Sequence, residues 1–299
     1  MKKTLLNFIC CPVCSGEFKA VSIDTDDEII NGKLICSNCD MTYPVIRGLP
    51  IILDKVGKMK NTKNAFSTQW RILSKGGFEK NTIYSQEEKE ELNEFKKTFE
   101  LNKWDQLNGK LILDAGCGSG RLSSNVAQKA KDSTVIGIDI SDGAVVANER
   151  AMKSTNHHVV QCDINNLPFR KELFHVIWSQ GVIHHTQNTY KSFKKLLEII
   201  DPKGQIYILL YPNYVFGPYR FIRDMLWKSY LLPKRWLYLL CWIIALPLYL
   251  CFSLKERLLL NKKTIKNKTK LRTVVFCLFD NLAPEYQHRH SKAEVSKWF

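Results

Sequence analysis

Residues 111–122 read "LILDAGCGSGRL": an apolar run ending in Asp114, three glycines at alternate positions, then a helical pattern through Ala127. Glycine is needed where the backbone turns sharply at the end of a strand and lets a ligand approach closely. Gly116, Gly118 and Gly120 therefore mark a strand–loop–helix unit. After the helix, "TVIGIDIS" is a second apolar strand, ending in Asp139, 19 residues beyond Gly120. An acid at the end of the second strand of a doubly wound sheet grips the two hydroxyls of a ribose. The glycine spacing differs from the Gly-x-Gly-x-x-Gly of dinucleotide sites, and Asp114 adds a carboxylate before the loop. A carboxylate there suits a ligand with positive charge, not a pyrophosphate.

Two further pieces follow in order. "VVQCDINNLPF" is a short strand ending in Asp163, and "LFHVIWSQGVIHHT" is a strand running into a polar turn. "NTYKSFKKLLEIIDPKGQIYILLYP" then supplies a helix, with Lys191, Lys194 and Lys195 on a solvated face, and a fifth strand after Pro202-Lys203-Gly204. Helices alternating with apolar strands imply an α/β fold, a doubly wound and mostly parallel sheet with helices on both faces. Its ligand belongs at the carboxyl ends of the strands.

This ordered set resembles the class I S-adenosylmethionine-dependent methyltransferases, specifically the type 11 group. The motifs of that group take the form acid-x-Gly-x-Gly-x-Gly, acid, acid-x-x-x-x-Pro-Phe and Gly-Val-x-His-His, and the match runs from about residue 105 to 211. The resemblance implies S-adenosylmethionine as cofactor. Asp114 with Gly116, Cys117 and Gly118 would meet its methionine part, Asp139 the ribose, and Asp163 with Ile164 the adenine, with Gly120 and Ile140 also in the implied cofactor set. Ser179, at the end of the fourth strand, completes the implied cofactor set. His184 and His185 read as the turn after that strand, with a base role for His185 left open.

Upstream, "CPVCSGEF" and "LICSNCDMTYPVIRGLPIIL" hold Cys11 and Cys14, then Cys36 and Cys39 after 21 intervening residues. Two residues between cysteines let a tight turn aim both thiolates at one tetrahedral metal, and two such turns complete a four-sulfur zinc site. The segment is too small to hold a proper core, so the metal has a structural job, and four protein ligands leave no position for catalytic water. Residues 5–53 resemble the zinc-ribbon family that includes the small activator subunit of several RNA and protein methyltransferases. Ser85 with Glu88 forms a capping-box signature for a helix in the following linker, where Phe66, Gln69 and Trp70 either close over the cofactor or simply pack an amphipathic helix.

The rest of the chain bears on the acceptor. Its 299 residues are 45% hydrophobic and 24% charged, which excludes wholesale disorder, and its net charge of +15 points to an anionic partner, nucleic acid or phospholipid headgroups. Ten unevenly used cysteines fit a reducing cytoplasm, and "MKKTLLNFICC" has too short an apolar region for a secretory signal. Residues 236–254, "WLYLLCWIIALPLYLCFSL", carry no charge and would reach about 28 Å as a helix, just under a bilayer's hydrocarbon. Pro247 interrupts the run and basic residues flank both ends, with eight basic residues and one acid from Lys255 to Arg272. "FCLFDNLAPEYQHRHSKAEVSKWF" beyond it resembles a segment that follows the fifth strand in type 11 enzymes, and a single span would strand that piece across the bilayer. The expectation is an in-plane or re-entrant unit on anionic headgroups, with a core helix or dimer contact as the alternative.

The organisation expected is a zinc ribbon over 1–55, a linker with helices over 56–104, a cofactor domain over 105–211, an apolar and Lys-rich insertion over 212–270, and a closing segment over 271–299. Ser291 with Glu294 predicts a helix start in that closing segment. Asp280, Tyr286, His288 and His290 are polar groups near the expected acceptor pocket, and equally turn and capping residues. The closing hairpin strands of the fold are missing, so the chain is truncated or another element covers that sheet edge. The leading function is methyl transfer to a lipid, a lipid-linked sugar or a quinone-like molecule by a cytoplasmic protein peripheral on the inner face of the membrane. RNA methylation and a non-catalytic cofactor-binding scaffold are the alternatives.

Overall fold

A computed structural model describes residues 1–22, 27–53, 59–78, 82–83, 86–214, 218–259 and 270–299. The N-terminal part is an antiparallel meander of β1 (Phe18–Ser22), β2 (Gly32–Cys36), β3 (Thr42–Ile46) and β4 (Leu49–Ile52). Arg47 and Gly48, both with positive φ, make the tight turn between β3 and β4. Helix α1 (Lys60–Ser74), a two-rung hairpin of β5 (Thr82–Ile83) with β6 (Gln86–Glu87), and α2 (Glu88–Thr98) follow. Ser85 lies outside the described residues. The box that starts α2 is set two residues later than expected, with the Glu90 carboxylate accepting the Glu87 N–H at 2.9 Å.

The cofactor-domain pattern forms as expected. β7 (Leu111–Ala115), α3 (Arg121–Lys129), β8 (Thr134–Asp139), α4 (Gly143–Ala151), β9 (His157–Cys162), β10 (Phe174–Gln180), α5 (Thr189–Leu197) and β11 (Ile200–Leu209) alternate. The five strands are parallel in the order β9-β8-β7-β10-β11, so the order reverses between β7 and β10. Strand alternation sends Leu111, Leu113 and Ala115 to one face with Phe193 and Leu196 of α5. Ile112 goes to the other, with Phe95 of α2 and Leu122, Val126 and Ala127 of α3. β11 starts earlier than expected, at Ile200, and carries Pro202-Lys203-Gly204 inside it as an irregularity opposite Phe174–Val176.

The ribbon does not hang beside this sheet but continues it. β4 pairs in parallel with the edge strand β9, Ile51 opposite Gln161 and Ile52 opposite Cys162, giving one nine-stranded sheet. Ribbon residues Leu5, Ile9, Leu34, Tyr43 and Val45 share one buried cluster with Leu113, Ile136 and Val160. Polar ties reinforce the seam: Lys2 Nζ donates to the carbonyls of Ala151 and His157, and Asn148 Nδ2 to that of Arg47.

The insertion is helical. α6 (Pro218–Met225) and α7 (Lys234–Leu259) precede α8 (Leu271–Leu282) and the short α9 (Lys292–Val295), whose Ser291 cap accepts the Glu294 N–H as expected. Pro247 does not interrupt α7, which runs through it. Leu237, Cys241 and Ala245 bury one face of α7 against Val274, Leu278 and Leu282 of α8. Its opposite face, Trp236, Leu239, Ile243, Leu246, Leu250 and Leu254, is more than half bare apolar surface, from 50% to 64% exposed. It is, among the described residues, the one helix long and apolar enough to cross a membrane. Most of the Lys-rich run, residues 260–269, lies outside the described residues. Among the described residues β11 pairs only with β10; past its end Pro212 bridges His290, whose N–H donates to the Tyr211 carbonyl.

The four ribbon sulfurs of Cys11, Cys14, Cys36 and Cys39 lie within 4.8 Å of one another, with neighbouring pairs at 3.4 to 3.6 Å. Tetrahedral zinc–thiolate bonds of about 2.3 Å place sulfurs somewhat under 4 Å apart, so the cluster fits Zn²⁺. Cys10 is buried separately, its N–H bonded to the Pro168 carbonyl, as the Cys-x-x-Cys count requires. Because this metal shapes the ribbon that edges β9, chelation or Cys36→Ser should lower the melting temperature on the order of 10 °C and weaken cofactor binding as well. Scanning calorimetry with a cofactor titration checks both; an unchanged cofactor affinity would decouple the ribbon from the site.

Candidate active site

The strand ends at the β7/β10 reversal surround one cavity of about 370 Å³. Asp114 and Gly116 come from β7, Asp139 and Ile140 from β8, Cys162, Asp163 and Ile164 from β9, and Gln180 to Val182 from β10. α1 roofs it with Met59, Thr62, Phe66, Gln69 and Trp70, and Leu209 and Tyr211 close the side beyond β11. Of the ten residues that sequence assigns to the cofactor, seven line this cavity: Asp114, Gly116, Cys117, Asp139, Ile140, Asp163 and Ile164.

The other three are placed differently. Gly118 lies under the roof: a Cβ there would sit 2.2 Å from the Trp70 ring, and its N–H donates to Asp139 Oδ2 at 2.9 Å. Gly120 caps α3 at φ +70° and lets it approach α4, since a Cβ would meet that of Ala147 at 2.7 Å. Ser179 is fully buried and donates to the Ala115 carbonyl, tying β10 to β7. Asp139 holds the loop through its other oxygen too, which accepts from Ser141 N–H and Oγ.

Electrostatics set the two ends apart. Burial, with Glu91 next, pushes the Asp114 carboxyl up to about 7, and burial also raises Glu91 and Asp139. Glu91 reaches across from α2 and pairs with Arg121 of α3 at 2.8 Å, both nearly buried. Neither was found from sequence, where "SQEEKEEL" reads only as a helix start with the Ser85–Glu88 capping box. Four carboxylates and one guanidinium therefore line the β7–β9 side. That set complements a ligand with a sulfonium, an ammonium and one carboxylate, the charges of S-adenosylmethionine.

On the β10–β11 side the candidate acceptor residues separate. His185 lines the cavity, buried, with Nδ1 2.9 Å from the Tyr286 carbonyl and the Phe66 ring edge-on at 5.1 Å. Asp280 lies behind the wall, accepting from Gln69 Nε2 and the Tyr211 hydroxyl. Tyr286 contributes its carbonyl to His185; His288 Nε2 donates to the Thr186 carbonyl; and His290 bridges Glu294 and Thr189. None of these three lines the cavity. His184 packs against the Tyr211 ring, centroids 4.1 Å apart and tilted by 31°, and is fully buried, so burial drives its pKa far down.

Residues 113–208 match the methyltransferase domain family, and residues 2–48 match the Trm112p-like family. The chain carries a methyltransferase domain behind a Trm112p-like zinc ribbon. Among curated relatives, the malonyl-[acyl-carrier protein] O-methyltransferase of Methylovorus sp. (strain MP688) is 26% identical over 106 residues, 33% of this chain and 36% of that one. The Probable tRNA methyltransferase 9B of Homo sapiens is 33% identical over 111 residues, 36% of this chain and 22% of that one. A ubiquinone/menaquinone biosynthesis C-methyltransferase of Vibrio vulnificus is 24% identical over 131 residues, 42% of this chain and 50% of that one. The match thus spans half or less of each relative. The solved phosphoethanolamine N-methyltransferase 2 of Haemonchus contortus aligns at 21% identity and TM-score 0.43, over 62% of this chain and 43% of that one.

The raised carboxyl gives a signed expectation. Its folded value exceeds the ordinary carboxylate value, so ligand-free protein loses stability as pH rises from about 4 through 7. A cation bound beside Asp114 reverses the shift. Cofactor binding at pH 6 should therefore release close to one proton, and Asp114→Asn should abolish the release; calorimetry in buffers of different ionisation enthalpy measures it.

Proposed function

We propose that the protein transfers a methyl group from S-adenosylmethionine to a small acceptor carried in or on a membrane. When bound, S-adenosylmethionine supplies a methyl group from its sulfonium, the carbon–sulfur bonding electrons staying on sulfur. Asp114 and the Gly116–Gly118 loop hold the methionine end, Asp139 and Ile140 the ribose, and Asp163 and Ile164 the adenine. The roof helix α1 excludes water: Trp70 covers the glycine loop, and Ser67 Oγ accepts the Asp142 N–H at 2.9 Å. Alignment of acceptor, carbon and sulfur supplies most of the acceleration in such a transfer.

The observation that carries the membrane reading is the outward face of α7. Six large apolar side chains stand 50–64% exposed in one row over several helical turns, and contiguous apolar surface of this kind marks an interaction or membrane-docking face. Phe221, Met225, Trp227 and Leu231, in α6 and the turn after it, are also mostly exposed. Lys228 lies over the Trp227 ring and Arg235 over Trp236, the arrangement of snorkelling cations at an interface. Each basic residue near an anionic surface adds about 1 kcal/mol to docking. The surface also leads to the cavity: Tyr238 of α7 donates to the Gly77 carbonyl just past α1, and α8 bonds the roof through Asp280. The Vibrio relative, named for quinone biosynthesis, supports an apolar acceptor. This reading puts the protein on the cytoplasmic face of the membrane.

RNA is the second reading, favoured by the net charge of +15 and by the human relative named for tRNA. Vesicle sedimentation separates the two. The wild type should bind vesicles containing anionic lipid, and Ile243→Lys with Leu250→Lys should reduce binding at least about tenfold with cofactor affinity unchanged. A protein that ignores such vesicles and instead retains RNA in a salt-sensitive way reverses the order.

A further inference from the structure

We propose that Glu91 and Arg121 form the amino-acid pole of the cofactor site, Arg121 holding the α-carboxylate of S-adenosylmethionine and Glu91 its α-ammonium. The inference rests on the S-adenosylmethionine part of the reading above and is independent of the membrane part. Charge carries it. The cavity is lined by the carboxylates of Glu91, Asp114, Asp139 and Asp163, and among the described residues Arg121 is the only lysine or arginine in that lining. Burial holds the His185 imidazole below its ordinary pKa, so it adds no second cation at neutral pH. A ligand carboxylate enclosed with these acids is repelled wherever no cation faces it. It therefore belongs at Arg121.

The pair is already arranged for a zwitterion. Arg121 Nε donates to Glu91 Oε2 at 2.8 Å, and the two side chains are only 10% and 13% exposed. In an α-amino acid the carboxylate and the ammonium stand on one carbon, so together they match two opposite charges that are neighbours in a wall. A guanidinium carries five N–H donors in a fixed fork, enough to hold Glu91 and a ligand carboxylate at once. Glu91 also raises the Asp114 carboxyl more than Asp139 does, which puts a second acid within electrostatic reach of the ammonium and the sulfonium. Ionised, Glu91, Asp114 and Arg121 leave one excess negative charge, and the cofactor's sulfonium, ammonium and carboxylate leave one excess positive charge.

The pole also lies where the cofactor's length requires it. Asp163 follows β9, Asp139 ends β8 and Asp114 stands in β7, so the adenine, ribose and methionine regions of the reading above follow the strand order β9-β8-β7. Phe95 of α2 and Leu122 of α3 pack over Ile112 of β7 and Trp178 of β10, so the two helices bring Glu91 and Arg121 in beyond the methionine region. Stability alone gives no reason for this placement. Arg121 is the first residue of α3, where the helix dipole already presents positive charge, and no acidic residue sits in that first turn. Burying an ion pair costs desolvation that its own attraction often fails to recover.

The cofactor's carboxylate thereby becomes a determinant of specificity. Decarboxylated S-adenosylmethionine keeps the sulfonium and an ammonium but gives Arg121 nothing to hold, and 5′-methylthioadenosine lacks the whole pole. Calorimetric titration of zinc-loaded full-length protein needs no turnover and compares these two with S-adenosylmethionine and S-adenosylhomocysteine. The wild type should prefer S-adenosylmethionine to its decarboxylated form, and S-adenosylhomocysteine to 5′-methylthioadenosine, by at least about tenfold each. Arg121→Gln should weaken S-adenosylhomocysteine roughly 30-fold and change 5′-methylthioadenosine by less than about threefold. Glu91→Gln should weaken both ligands that carry an ammonium and a sulfonium, and again spare 5′-methylthioadenosine. Each single change leaves one buried charge without its partner, so Glu91→Gln combined with Arg121→Met, which removes both charges, tests the pole in a wall free of that penalty. It should melt near the wild type and lose the preference for S-adenosylhomocysteine. Equal weakening of S-adenosylhomocysteine and 5′-methylthioadenosine by Arg121→Gln would make the pair a packing element and overturn the proposal. Wild-type protein that binds S-adenosylmethionine and its decarboxylated form alike overturns it without any variant. Failure to bind any of the four ligands sinks the cofactor reading and this proposal with it.

Discussion

Two rungs of parallel pairing, Ile51 on Gln161 and Ile52 on Cys162, make one sheet of two modules, and the site depends on them. β9 would otherwise be an open edge of a parallel sheet, which such sheets rarely leave bare. The residue after Cys162 is Asp163, so the strand that carries this cavity carboxylate is held on one side by β8 and on the other by the ribbon. The ribbon in turn has little core of its own. Its apolar residues are buried jointly with those of the sheet, and the four-cysteine cluster supplies what the small segment lacks. Metal, edge and cavity wall are thus in mechanical series.

A second series runs through α1. Four of its side chains each touch a different part of the site: Trp70 the glycine loop, Ser67 the turn after β8, Phe66 the ring of His185, and Gln69 the carboxylate on α8. A helix with so many separate attachments cannot shift at one end without straining the other. Whatever displaces α8 therefore reaches the cavity through Asp280 and Gln69. The contact between α7 and α8 makes the exposed apolar face part of the same chain of packing.

What sequence disclosed were the features whose physics is local. Glycines at alternate positions after Asp114, acids at strand ends and paired Cys-x-x-Cys turns each state their conformation in a few residues. Three kinds of feature stayed hidden. The β4–β9 pairing joins segments over a hundred residues apart, and edge-to-edge pairing leaves no periodic trace. Glu91 and Arg121 look like ordinary solvated charges until tertiary packing buries them together. The closing histidines have the right chemistry for a site, yet His288 and His290 are consumed by Thr186, Thr189 and Glu294, which only the contacts reveal. Pro247 was read as interrupting the apolar run, and the helix nonetheless continues through it.

The apolar run shows why hydropathy cannot distinguish a span from a docking face. Both need about the same length and composition; they differ in what already covers the helix. In α7, Leu237, Cys241 and Ala245 are fully buried against α8, and α8 also carries Asp280, tied to the cavity roof. Drawing α7 across a bilayer would strip that face from α8 and leave Val274, Leu278 and Leu282 uncovered beside the roof helix. Laying the helix in the interface keeps the packed face packed and gives the bare face an apolar medium. Its half-buried state therefore favours the in-plane arrangement proposed above.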